Sequence, residues 1–208
     1  MLRFALFFVT INSYKFIQNY GGVMKVKCNN CDAHYVLRSG AYGDFFGCSN
    51  FPKCKSTVKI SDIVVTFLVH TGLNIYKWDK QCYKCKLKTP VYSYYLAYEM
   101  CEVDECFSGM FGVGVGDIPI LDKLVGSEVD SAKKQYSKTS NSSYISNACI
   151  HCNSIQGKFY VVEDPHEISN ELRYRDMKKF LYKNISVTYS EELRIQLGRY
   201  FDPEPRDY

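Results

Sequence analysis

Apolar positions fall into short groups separated by polar and glycine-rich punctuation. The run Ile63 to Val69 follows Ser61 and Asp62 and precedes Gly72, which suits a short helix capped by Ser61 and ended by the glycine. Its β-branched content would also suit a buried strand. LNIYKW leads into a cysteine pair, and TPVYSYYLAYEM reads as a strand entered at Thr89-Pro90. FGVGVGDIPI reads as loop, EVDSAKKQY as helix and SKTSNSSY as polar linker. ISNACIHCNSIQGKFYVVED then alternates strand, cysteine turn, a turn at Gln156-Gly157 and a further strand. Beyond Pro165, ISNELRYRDMKKFLYKN and SEELRIQLGRYF carry helical patterning, the second with Ser190 as cap and two glutamates in its first turn. FDPEPRDY reads as a frayed end, and no solenoid-type period appears. The pattern is that of an α+β chain.

With 208 residues, 46% apolar and 15% aromatic, the chain can bury a real core. Its ten cysteines include C-x2-C pairs at Cys28/Cys31, Cys82/Cys85 and Cys149/Cys152, a spacing that favours thiolate metal ligands over a disulfide framework. MLRFALFFVTI has the outline of a signal peptide, but its apolar run is too short to span a bilayer and bulky NSYKFIQNY follows where a cleavage site belongs. Met24, directly before KVKCNNC, is the expected initiator, with residues 1–23 a mis-called extension; Gly21-Gly22 fits codons of a ribosome-binding sequence.

Net charge is +4, and its location matters more than its size. Residues 24–60 hold six bases against two acids, whereas residues 61–208 hold eighteen against twenty. Positive potential therefore concentrates on the first module, as in a polyanion-binding piece attached to a near-neutral body.

Cys28, Cys31, Cys48 and Cys54 form two intact pairs in a short segment, the donor set of a structural zinc site. In a module with little core, metal binding substitutes for burial, contributing roughly 10–16 kcal/mol in small finger peptides. The pattern Cys28-x2-Cys31, Val36-Leu37-Arg38-x-Gly40-x-Tyr42-Gly43-x-Phe45, and Gly47-Cys48-Ser49-Asn50-Phe51-Pro52-x-Cys54 resembles the four-cysteine zinc fingers at the C-terminus of bacterial type IA DNA topoisomerases. The resemblance covers about thirty residues and implies DNA binding, with preference for single strands. Asn29-Asn30 and Asp32 depart from the family's usual residues, but neither position is a ligand. The enzyme's acidic D-x-D-x-x-G element has no counterpart; Glu102-Val-Asp104 is the nearest approach, with its glycine out of register. The resemblance implies a grip on DNA without topoisomerase catalysis.

The side chains point the same way. Tyr35, Tyr42, Phe45, Phe46 and Phe51 interleave with Arg38, Lys53 and Lys55. Rings that cannot all be buried stack on bases while nearby cations hold phosphates. Arg38, Tyr42, Phe45, Phe51, Lys53 and Lys55 are the expected DNA contacts, with one of Phe45 and Phe46 joining Val36 in a small core.

Cys82, Cys85, Cys149 and Cys152 are expected to form a second zinc site, closed by folding across about sixty intervening residues. Cys101 and Cys106, among acidic neighbours, read as ordinary thiols, and His151 as a solvent-facing ring. Gly112-Val-Gly114-Val-Gly116 lacks a phosphate-cradle pattern.

The expected architecture is α+β: a zinc ribbon-like finger at 24–60, a second zinc-stabilised, ribbon-like α+β domain at 61–165 with an insertion, and a helical C-terminal segment at 166–208. The expected function is non-enzymatic, zinc-dependent (two Zn2+) binding of single-stranded DNA, in the cytoplasm at the nucleoid, with no membrane role. Two other readings stand beside it: a protein–protein adaptor, and a nuclease using Glu99, Glu102, Asp104, Glu105 and Asp117.

Overall fold

The computed structural model describes residues 16–18, 24–100, 114–163 and 177–202. The expectations for Cys101, Cys106, Glu102, Asp104, Glu105, Gly112 and the FDPEPRDY end beyond Asp202 lie outside them, as does most of the segment following Pro165.

Strand β1 (Phe16–Gln18) pairs antiparallel with β2 (Met24–Val26). A second antiparallel sheet runs β3 (Tyr35–Gly40), β4 (Gly43–Cys48), β5 (Thr57–Val58), with Tyr35 opposite Cys48 and Gly40 opposite Gly43. Alternation along these strands divides the residues between two faces. Tyr35, Phe46 and Cys48 are buried, with Leu37 and Val58 packed against the same core. Val36 and Arg38 share the other face with Phe45 and Gly47. Phe46 is thus the core ring; Val36, expected beside it, lies on the opposite face.

Helix α1 (Ile60–Thr71) settles the choice left open for the Ile63–Val69 run. It is apolar on most sides because it is covered on more than one, by β4 and by α4 (Glu191–Phe201). Gly72 ends it at φ 79°, donating to the Leu68 carbonyl at 2.8 Å. Its N-cap is Lys59 rather than Ser61, and the Asp62 carboxylate accepts from the Lys59 amide. Ser61 is buried because its amide and hydroxyl both donate to Asp202, each at 2.8 Å, which ties the start of α1 to the end of α4. One continuous core runs from Val26, Cys28 and Phe46 through Ile63 and Leu68 to Leu193 and Leu197.

Strands β6 (Leu73–Gln81) and β7 (Lys88–Ser93) pair around the Cys82/Cys85 turn, and β11 (Leu181–Ile185) adds to the other edge of β6. Strands β8 (Ala132–Ser137), β9 (Ser142–Ala148) and β10 (Ile155–Gln156) form another antiparallel sheet, with the Cys149/Cys152 turn between β9 and β10. The buried Asn147 side chain joins the two sheets: its Oδ1 accepts from the Tyr92 amide and its Nδ2 donates to the Tyr92 carbonyl, both at 2.8 Å. It imitates a strand neighbour where no strand runs.

Several expected elements change. TPVYSYYLAYEM is a strand only to Ser93 and turns into α2 (Leu96–Met100). The helix placed over EVDSAKKQY lies earlier, as α3 (Pro119–Glu128), and AKKQYS is strand β8. Pro119 opens α3, where a missing N–H costs nothing, and Leu121, Asp122 and Val125 turn inward. SSY, within the expected linker, belongs to β9. FYVVE is a π-helical turn rather than a strand, and Met177–Phe180 is a 3-10 turn that leads into β11 where helix was expected. The last helix is as expected, with Ser190 Oγ accepting from the Leu193 amide at 3.1 Å. Among the described residues no helix is long and apolar enough to cross a membrane.

Candidate metal centres and the surface around them

Cys28 and Cys31 lie on the turn after β2, Cys48 ends β4, and Cys54 precedes β5. The turn is closed by the Cys28 amide donating to the Ala33 carbonyl at 2.8 Å. The Asn30 and Asn50 amides point at the sulfurs of Cys28 and Cys48, each at 3.4 Å. Cys28 and Cys54 sulfurs are 3.8 Å apart, Cys31 and Cys48 sulfurs 3.4 Å, and all four lie within 4.8 Å of one another. A disulfide would need about 2.05 Å. A zinc ion with four bonds of about 2.3 Å spaces its sulfurs by about 3.8 Å.

The second quartet repeats this chemistry with ligands from two distant turns. Cys82 donates its amide to the Leu87 carbonyl at 2.9 Å and accepts from the Lys86 amide at 3.0 Å. Cys149 does the same with Ser154 and Asn153, at 2.9 and 2.8 Å. The residue after each second cysteine is left-handed, Lys86 at φ 63° and Asn153 at φ 58°. Sulfur pairs Cys82–Cys152 and Cys85–Cys149 lie 3.7 and 3.6 Å apart. Either quartet can hold a zinc ion in four-sulfur coordination.

Around the second quartet, Ser154 Oγ lies 3.3 Å from Cys82 Sγ and 3.1 Å from Cys152 Sγ, and buried Gln156 donates to Cys82 Sγ at 3.4 Å. Such donors offset the charge that four thiolates leave around a dication. Burial opposes ionisation of Cys28 and Cys82, but backbone amides and neighbouring groups outweigh it, pulling Cys28 down to about 6 and Cys82 to about 5. Burial holds Cys48 up at about 12, and against the pull of the Leu87 amide Cys85 is held there by burial together with the other thiols. Cys152 is also lowered, by the Ser154 hydroxyl and amide, and Cys54 also raised, so each quartet mixes sulfurs that ionise readily with sulfurs that hold their protons, and metal uptake must expel protons. His151 is exposed, with its Nε2 2.9 Å from the Lys88 carbonyl, and is not among the ligands.

The outward face of β3 and β4 gathers several of the expected contacts. Arg38 is half-buried along Gly47, where an added Cβ would come within 2.7 Å of its Cδ. Its Nη2 donates to the Cys48 carbonyl at 3.2 Å, and its guanidinium sits 5.5 Å from the centre of the Phe51 ring. The Phe45 ring lies between Gly40 and Gly47, which leave room for it. Phe51 is 58% exposed, and Tyr42, on the β3–β4 turn, is 83% exposed. Lys53 and Lys55 are exposed on the following loop, with no ion pair among the described residues. Lys27, by contrast, pairs with Asp32 at 2.9 Å.

Of the acidic group, Glu99 accepts from the Tyr76 hydroxyl at 2.5 Å, and Asp117 is tied by Lys158 at 2.8 Å and the Gly114 amide. Sequence reasoning missed Asn147, Ser154 and Gln156, whose roles depend on partners brought together by folding. It also averaged away a local signal: residues 80–88, KQCYKCKLK, hold four lysines and no acid.

The described residues of this α+β chain place eight cysteines in two quartets, each able to hold a zinc ion. Its first quartet is of a recognisable type: residues 25–63 match the family described as "Topoisomerase DNA binding C4 zinc finger". The segment is 53% identical over 34 residues to DNA topoisomerase 1 of Methanocaldococcus jannaschii, covering 16% of this chain and 4% of that protein. It is 64% identical over 28 residues to DNA topoisomerase 1 of Mycoplasmoides gallisepticum, and 54% over 33 residues to that of Vibrio cholerae, covering 14% and 16% of this chain and 4% of each relative. The likeness to these relatives is therefore a likeness of the finger. No solved structure matches the chain.

Proposed function

We propose that this protein holds single-stranded DNA through its first zinc finger without cleaving or rejoining it, acting in the cytoplasm at the nucleoid. The observation that carries the reading is the outward face of β3 and β4, where Arg38 lies over the Phe51 ring and opposite Phe45 in register, beside exposed Tyr42, Lys53 and Lys55. Exposed rings offer stacking surfaces to unpaired bases of any sequence, and the lysines neutralise phosphates. Arg38 contributes mainly by holding Phe51, since its Nη2 is already committed to the Cys48 carbonyl. The zinc quartet behind this face makes it rigid, so little ordering cost falls on binding.

The finger is the part shared with DNA topoisomerase 1, and the two members of the acidic group among the described residues are engaged, Glu99 by the Tyr76 hydroxyl and Asp117 by Lys158. On this reading residues 24–60 form a ribbon-like finger and residues 61–165 a second, ribbon-like zinc domain.

The test is fluorescence anisotropy of the full chain with oligothymidine at several salt concentrations. Tyr42→Ala or Phe51→Ala should weaken binding by roughly 1–3 kcal/mol with the salt slope unchanged and both zinc ions retained. Lys53→Gln or Lys55→Gln should lower the slope by about 0.7 for each phosphate left without its cation. Absence of binding by the folded, zinc-loaded protein at low salt would refute the reading and leave a protein-adaptor role in front.

A further inference from the structure

We propose that the Cys82/Cys85 turn carries a second contact surface for single-stranded nucleic acid, one that works together with the first finger on a single strand. The inference rests on the reading above and extends it to residues outside the family match at 25–63.

The turn gathers both parts of the required chemistry. Lys84, Lys86 and Lys88 are exposed, and no acid interrupts residues 80–88; Asp79 on β6 is the nearest acid in sequence. Among these cations stand exposed Tyr83 and Leu87, each 52% open to solvent. Phe159, 68% exposed, opens the π-helical turn whose next residue contacts Tyr83. The Tyr83 ring meets the Tyr160 ring edge to face, with centroids 6.4 Å apart. Tyr160 is itself fixed: its hydroxyl donates to the Gln81 carbonyl, its ring lies 3.9 Å from Lys80 Nζ, and its carbonyl accepts from the same amine. Tyr83 therefore rests against a fixed neighbour while about half of it stays open to solvent.

Cations with open rings on a rigid turn are suited to a flexible polyanion that carries flat bases. A duplex would satisfy the lysines and leave the rings without partners, because its bases are stacked within. The first quartet packs into a core that also takes in Leu73, Ile75 and Tyr92 of β6 and β7, the strands that carry the Cys82/Cys85 turn, so a strand long enough to reach both surfaces engages the second at high effective concentration.

The experiment uses the full chain, loaded with zinc, and oligothymidine of about 8 and about 30 nucleotides, lengths chosen around the span of one small binding domain. The variants are Lys84→Gln with Lys86→Asn, and separately Tyr83→Ala; asparagine suits the left-handed position, as Asn153 shows in the matching turn. With the long oligonucleotide, the double variant should lower the slope of log K against log salt by about 1.4, two phosphates at about 0.7 each. Tyr83→Ala should weaken long-strand binding roughly 5- to 150-fold with no change of slope. The wild-type preference for the long strand should shrink in both variants. If the double variant loses zinc, Tyr83→Ala alone decides.

Unchanged affinity and slope in variants that retain two zinc ions would overturn this inference, while weakened binding by Tyr42→Ala would keep the first-finger reading. The opposite result, with only the Tyr83 and lysine variants affected, would refute both that reading and the joint engagement of one strand proposed here, leaving binding at this turn alone. No binding by the wild-type protein would overturn both.

Discussion

Replacing Asn147 by alanine tests how the second metal centre is assembled. Its side chain makes both of the polar contacts described between β9 and the Tyr92 backbone, and Asn147 and Tyr92 are 2% and 8% exposed. Alanine would leave a buried N–H and a buried carbonyl without partners, each costing about 1–3 kcal/mol. Water entering the vacated space recovers part of this, so the working figure is about 2–4 kcal/mol. Cys82 and Cys85 are carried by one sheet, and Cys149 and Cys152 by the other, so the cost falls on bringing the two half-sites together. Since metal binding and assembly share one free energy, zinc affinity at the second site should fall roughly 30- to 700-fold. The first quartet draws its ligands from residues 28–54 and should keep its affinity. Titration with a graded chelator series, counting zinc released, should turn overlapping losses into two separated steps, with one ion leaving early. Release of both ions together, or a wild-type release curve in a folded Asn147→Ala protein, would refute the reasoning.

The remaining predictions concern separate parts of the molecule. Cys28→Ser and Cys149→Ser should each remove about one zinc ion by metal analysis, and the double variant both; a common loss in the single variants would show that the quartets are wrongly paired. Asp122, buried beside Tyr94 and the Gly116 amide, has its carboxyl pushed up to about 7 by burial. A raised carboxyl contributes stability while protonated, fully below about pH 4, and loses that contribution as pH rises towards about 7. Urea unfolding between pH 5.5 and 8 should therefore show stability falling by roughly 1–2 kcal/mol in wild type and a flatter profile in Asp122→Asn; identical slopes would exclude the buried carboxyl as the cause. A chain beginning at Met24 should retain both zinc ions on metal analysis, because every ligand follows it; loss of the first ion would mean that the pairing of Phe16–Gln18 with Met24–Val26 supports the finger.

Both sets of ligands were legible from spacing, because a C-x2-C turn aims two sulfurs at one point and the Cys48 and Cys54 pair follows close behind the first such turn. The finger's character was legible too, since its residues act over a hairpin where cross-strand partners are fixed by register. Gly47 and Gly40 are cases in point: each leaves space for a side chain, Arg38 or Phe45, from the other strand of the same hairpin. The helix at Glu191–Phe201 was readable because Ser190 caps it and its apolar positions recur on one face.

Elsewhere local patterning misled where tertiary partners decided. AKKQYS has helix-forming residues yet lies as strand β8 because β9 pairs along its whole length. LYKNI became a strand through the open edge of β6, which its own polar sequence does not announce. The four cysteines of the second site announced zinc, but not which buried amide would hold the two turns at bonding distance. By itself the sequence determined the chemistry that acts within a turn or hairpin: the thiolate pairs, the finger's basic and aromatic residues, and the capped last helix. Only the tertiary structure decided what depends on groups far apart in the chain, namely Asn147 against Tyr92, Ser61 against Asp202, and Tyr83 beside Tyr160. The physical reason is that a buried polar group must find its partner wherever folding places one, and separation along the chain carries no record of that choice.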